Sequence, residues 1–153
     1  MDRGPILEVL LVEDNAGDAK LTIEAFRDAK IPARVHTVES GEDALRFLRR
    51  EPPYLHERTP RLVLLDLNLP RISGHDVLRA MKADDNLKHI PVLVISGSEN
   101  PTDVDWAYSH QVSTYLKKPA DLDQYFTMVR AIKELWFRFA VLPRVANATS
   151  SGS

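Results

Sequence analysis

A chain of 153 residues with 44% hydrophobic and 27% charged side chains is long enough to bury one core and too apolar to remain unfolded. Its formal net charge of -2 argues against nucleic acid as a direct partner, because phosphate backbones call for basic surfaces. The absence of cysteine excludes disulfides, thiolate nucleophiles and thiolate zinc sites, and suits a reducing, cytoplasmic setting.

The first apolar run, ILEVLLV (6–12), has strand length and is interrupted by acid too soon for a signal peptide. No stretch approaches a membrane span, so no membrane partner is expected. Glu13 and Asp14 follow, and Asn15 opens a helical segment over 16–30. ARVHTV (33–38) is the least apolar strand and should lie at a sheet edge. Ser40 starts a helix to residue 50, and RLVLLD (61–66) is a third strand, apolar on both faces and therefore central. Ser73 and Asn100 open helices over 73–85 and 100–111, flanking a fourth strand, PVLVIS (91–96). STYLKK (113–118) is the fifth strand. The last helix runs over 120–142, with Leu122, Phe126, Val129, Ile132, Trp136 and Phe139 at three- and four-residue steps. Residues 1–143 read as one domain, and the small polar residues 144–153 as a disordered tail.

Strict alternation of strand and helix implies right-handed crossovers and a parallel, doubly wound sheet between two helix layers. Glu13, Asp14, Asp66, Ser96 and Lys118 all fall at carboxyl ends of strands, the rim on which such sheets bind ligands. Three carboxylates on one rim need a counter-ion, and a hard cation such as Mg²⁺ supplies it. One carboxylate can then act as a nucleophile toward phosphorus, while a lysine and a hydroxyl hold the phosphoryl oxygens. Taken singly, each residue has a plainer reading. Asp66, Glu13 and Asp14 would cap helices, Lys118 would be a solvated turn lysine, Ser96 a loop residue and Tyr115 a strand aromatic. The five histidines lack ligand spacing, and Gly41, Gly74 and Gly97 punctuate element ends.

The segments VEDN, LLDLNLPRISG, VISGS and YLKKPA, in this order and spacing, resemble the receiver domain of bacterial response regulators over residues 6–140. The resemblance implies a five-stranded sheet of flavodoxin-like order 2-1-3-4-5 with five helices, the last one extended. It implies that Asp66 is the phosphoacceptor and that Glu13, Asp14, Asp66 and the Asn68 carbonyl hold Mg²⁺. Ser96 is implied as the switch hydroxyl, Tyr115 as the switch aromatic and Lys118 as the phosphate-pairing lysine, with a cis bond before Pro119. REPPYLHERTPR (50–61), ADDNLKHIPVLVIS (83–96) and ELWFRFAVLP (134–143) are similar to single-domain regulators paired with bacterial phytochromes. The implied partner is a sensor histidine kinase of that kind. No DNA-binding segment follows in this chain, so output through another protein is expected. Surplus apolar residues of the last helix, with the extended AVLP segment (140–143) at its end, point to a homodimer contact, or to an arm folded on its own domain. Two rivals remain: a Mg²⁺-dependent phosphohydrolase with an aspartyl nucleophile, and a scaffold receiver that is never phosphorylated.

Overall fold

The computed structural model describes residues 6–139 and 141. Five parallel strands, β1 (Leu7–Val12), β2 (Ala33–Val38), β3 (Leu62–Leu65), β4 (Val92–Ser96) and β5 (Thr114–Lys117), stand in the order β2-β1-β3-β4-β5. The helices are α1 (Ala16–Asp28), α2 (Gly41–Arg49), α3 (Gly74–Ala83), α4 (Pro101–Ser109) and α5 (Leu122–Ile132), the last continuing as a π-helical segment over Lys133–Phe139.

Alternation along the strands divides the core in two. Leu10, Val12, Val63, Leu65, Val92 and Val94 face α2, α3 and α4, where Phe47, Leu78 and Met81 close the layer. Val9, Leu11, Leu62, Leu64, Leu93 and Ile95 face α1 and α5, with Phe26, Tyr125 and Val129. Strands β3 and β4 are buried along their whole length, as strands covered on both faces must be. The more polar β2 does form an edge. Its Arg34 and His36 both bind buried Glu8 of β1, at 2.6 and 2.9 Å, which satisfies a carboxylate that would otherwise be costly inside.

Asn15, Ser40, Ser73 and Asn100 each cap the expected helix by accepting a backbone N–H, and Asp121 caps α5 in the same way. The stripe expected on the last helix needs correction. Its buried face is Tyr125, Val129 and Ile132, with Phe126 and Trp136 partly covered. Leu122 is 41% exposed at the first turn, past the final strand residue Lys117. The aromatic side chains of Phe137 and Phe139, most of the AVLP segment and the 144–153 tail lie outside the described residues. Among the described residues no helix is long and apolar enough to cross a membrane.

Candidate functional site

The chain order reverses between β1 and β3, and the carboxyl ends of these two strands open the crevice that a doubly wound sheet offers a ligand. Glu13 follows β1 directly. Its N–H donates to Val38 O at 3.0 Å, which extends the β1–β2 ladder and turns the side chain over the rim, where it is buried. Asp66 follows β3 and is 4% exposed; its N–H donates to Val12 O at 3.1 Å. The Asn68 N–H donates to Asp66 Oδ1 at 2.9 Å, so one carboxylate oxygen is fixed by backbone. The other accepts from Lys118 Nζ at 3.0 Å.

Lys118 lies at the centre of the charge distribution. Its ammonium also meets Glu13 Oε1 at 3.1 Å and Asp18 Oδ2 at 3.0 Å. Burial works against its charge, but hydrogen bonds to Asp18, Asp66 and Glu13 outweigh that and raise its pKa. Neighbouring Lys117 instead turns outward to Glu99 at 2.6 Å. The bond before Pro119 is not cis. Among the described residues the cis bond is Pro52-Pro53. The Lys118 N–H donates to Ser96 O at 2.7 Å, continuing the β4–β5 ladder by one residue, and the side chain reaches the carboxylates from there.

Ser96 ends β4 and is 1% exposed. Its Oγ accepts the Ser98 N–H at 3.2 Å. Tyr115 lies outside the acid cluster; its hydroxyl donates to Ser98 O at 2.9 Å and its N–H to the Tyr108 hydroxyl at 3.1 Å. Ser98 Oγ in turn donates to Asp103 of α4 at 2.7 Å. Ser98 thus joins the strand-end hydroxyl to α4 and β5.

Glu13, Asp14 and Asp66 each offer a carboxylate oxygen within 4.8 Å of the others, two of the residues buried and Asp14 exposed. Burial and then the charge of Asp66 push Glu13 up to about 7, against weaker opposing hydrogen bonds from Asn15 and Lys118. The single ammonium therefore leaves the cluster short of positive charge. An all-oxygen, carboxylate-rich donor set of this size fits a hard divalent cation. Among the described residues no histidine joins such a cluster.

A raised carboxyl pKa means the folded protein binds the proton more tightly than the unfolded chain does. Glu13 therefore contributes most stability below about pH 4.5 and loses it as pH rises to about 7. Denaturant unfolding of metal-free wild type and Glu13→Gln should show the variant gaining relative stability over that window. A difference that is flat with pH would contradict the burial argument.

The loop after β3 is shaped by Gly74, whose N–H donates to Leu67 O at 3.0 Å. A Cβ there would collide with Asp66 O and stand 2.6 Å from Leu67 Cα, both backbone atoms that cannot swing aside. Gly74→Ala should cost about 1–3 kcal/mol in denaturant unfolding by overpacking. It should also weaken cation binding by moving Asp66, which calorimetry would read.

Sequence reasoning places Glu13, Asp14, Asp66, Ser96 and Lys118 on one rim, and the structure does the same. It misses Asp18, which in the sequence is no more than a first-turn acid serving the helix dipole. Asp18 does sit in that turn, with its N–H on Asn15 Oδ1 at 2.9 Å, and only the fold brings it to Lys118.

A buried strand-end aspartate, an acidic cluster, a hydroxyl and a lysine thus lie together at the switch point of a doubly wound sheet. The sequence pattern of the response regulator receiver domain matches residues 9–130, and the chain belongs to that family. It is 36% identical over 142 residues to response regulator Rcp1 of Synechocystis sp., spanning 93% of this chain and 97% of that protein. It is 39% identical over 146 residues to the probable methanogenesis regulatory protein FilR2 of Methanothrix harundinacea, spanning 89% and 91%. Among solved structures, the phosphorylated cyanobacterial phytochrome response regulator RcpA superposes with a TM-score of 0.87 at 41% identity, over 92% of this chain and all of that one. The Mn(2+)-bound form of Rcp1 gives 0.84 at 36% identity, over 90% and 99%.

Proposed function

We propose that this chain is a cytoplasmic response regulator that accepts a phosphoryl group on Asp66 from a sensor histidine kinase, one of phytochrome type, and signals through protein contacts. The observation that carries the reading is the ion pair of Lys118 with buried Asp66, 3.0 Å apart across 52 residues of chain, inside an acidic crevice. The phosphorylated RcpA and Mn(2+)-bound Rcp1 structures support it by similarity.

Glu13, Asp14, Asp66 and the Asn68 carbonyl would hold Mg²⁺, whose charge offsets the repulsion between carboxylate and phosphoryl oxygens. The Asn68 N–H keeps Oδ1 of Asp66 in place while Oδ2 faces the crevice beside Lys118. A new P–O bond forms to Asp66 as the P–N bond to the donor imidazole breaks. The electron pair returns to that nitrogen, and the ring, protonated at its other nitrogen, leaves neutral. Lys118 and the Ser96 hydroxyl then hold phosphoryl oxygens. As Ser96 Oγ turns to the phosphoryl group it releases the Ser98 N–H, and Ser98 also holds Asp103 and the Tyr115 hydroxyl. The site event thereby biases α4 and β5 between two arrangements.

The phosphohydrolase reading is disfavoured by Asn68, which stands two residues after the nucleophile where an acid would protonate a leaving group. A colorimetric phosphatase assay should read blank. A scaffold that is never phosphorylated would have no use for an intact set of acids, acceptor and lysine. The homodimer is carried with the proposal on the exposed Leu135 and Val141 near the end of the described chain; a monomer in sedimentation at micromolar concentration would remove it.

The test is labelled phosphotransfer from a phytochrome histidine kinase and from unrelated sensor kinases, with Mg²⁺ and with chelator. Transfer should require Mg²⁺ and be fastest from the phytochrome kinase. Equal or faster transfer from unrelated kinases would remove the phytochrome assignment, and no transfer from any would remove the receiver mechanism.

A further inference from the structure

Tyr125 is 2% exposed and heads the fully buried side chains by volume, yet its hydroxyl has no hydrogen-bond partner. Buried polar atoms are almost always paired, so this hydroxyl is a donor open to an acceptor that comes within its reach. It belongs to α5, which packs on α1, the helix that carries Asp18. Burial first, and then the charge of Asp18, leave its pKa pushed up to about 12; Lys118 opposes the shift, while Glu13 and Asp66 add to it. The phenol thus lies within the field of the acidic cluster, with Asp18 its strongest charged neighbour.

Lys118 has three N–H donors, and three carboxylates claim them: Glu13, Asp18 and Asp66. A phosphoryl group on Asp66 brings new acceptors, so one of the three contacts must be given up. Asp18 is the one outside the cation cluster and the most open to the crevice edge, with 28% of its side chain exposed against 5% and 4% for the other two.

We propose that Asp18 and Tyr125 are positioning residues that form a latch on Lys118. Asp18 holds the ammonium while Asp66 is free, and when the ammonium turns to the phosphoryl group the Tyr125 hydroxyl donates to the vacated Asp18 carboxylate. The latch rests on the phosphoacceptor reading of Asp66. It stabilises the signalling state by pairing two groups that would otherwise be left bare.

The test uses the full chain with Mg²⁺ and beryllofluoride, a phosphoryl mimic. Its affinity is measured by calorimetry for wild type, Tyr125→Phe, Asp18→Ala and the double variant. Tyr125→Phe keeps the buried volume and removes one hydroxyl, so the fold survives. It should bind the mimic about tenfold more weakly than wild type, the value of one hydrogen bond to a charged group. In the Asp18→Ala background, which has no side-chain acceptor at that position, the same substitution should have no effect. Beryllofluoride should also red-shift a tyrosine absorbance in wild type and not in Tyr125→Phe. An equal loss in both backgrounds, or no loss in either, would overturn the latch. Wild type that fails to bind the mimic, or Asp66→Asn that binds it equally well, would instead overturn the phosphoacceptor reading beneath it.

Discussion

Asp66→Asn is expected to reduce phosphoryl uptake from a histidine kinase to background while leaving the protein folded. The amide keeps the shape of the carboxylate and can still accept the Asn68 N–H, but it lacks the anionic oxygen that must bond to phosphorus. The substitution also removes the charge that helps raise Glu13, so the metal-free variant should be as stable as wild type or more so. Lys118 retains Glu13 and Asp18 as partners, so it is not stranded. Gel-based phosphotransfer together with denaturant unfolding separates these effects. Uptake that survives in a folded variant would remove Asp66 as acceptor.

Lys118→Met should give the largest stability change. Methionine fills much of the lysine's volume, but it leaves Glu13 and Asp66 buried and Asp18 beside them with no counter-ion. Removing one member of a buried charge cluster costs about 3–5 kcal/mol. In chelator the variant should therefore unfold at far lower denaturant concentration than wild type. Millimolar Mg²⁺ should restore much of the difference, because a ligand that binds only the folded state stabilises it by mass action. A loss that Mg²⁺ does not repair would mean that the cation does not enter this cluster.

The strands and caps were legible because they depend on local rules. Apolar runs of strand length and single capping side chains such as Ser40 and Asn100 act within a few residues. The strand-end placement of Asp66 and Lys118 was legible for a related reason, since a parallel sheet puts all carboxyl ends on one rim. What escaped depends on packing between distant helices. Asp18 and Tyr125 lie 107 positions apart in the chain, on α1 and α5. Nothing in their own segments marks either as more than a first-turn acid and a core aromatic. Periodicity puts Leu122 on the buried stripe of α5, but it is exposed, because periodicity fixes a face and not where the sheet beneath it ends. The bond before Pro119 shows the reverse limit: the resemblance implies a cis geometry there that the structure does not have.

The central claim is most directly tested by borohydride reduction of the protein after phosphotransfer, followed by peptide mass spectrometry. An acyl phosphate on an aspartate is reduced to homoserine, and homoserine is predicted at position 66 alone. Homoserine at Asp14, Asp18 or another aspartate, or an unreduced and acid-stable phosphate, would contradict the account.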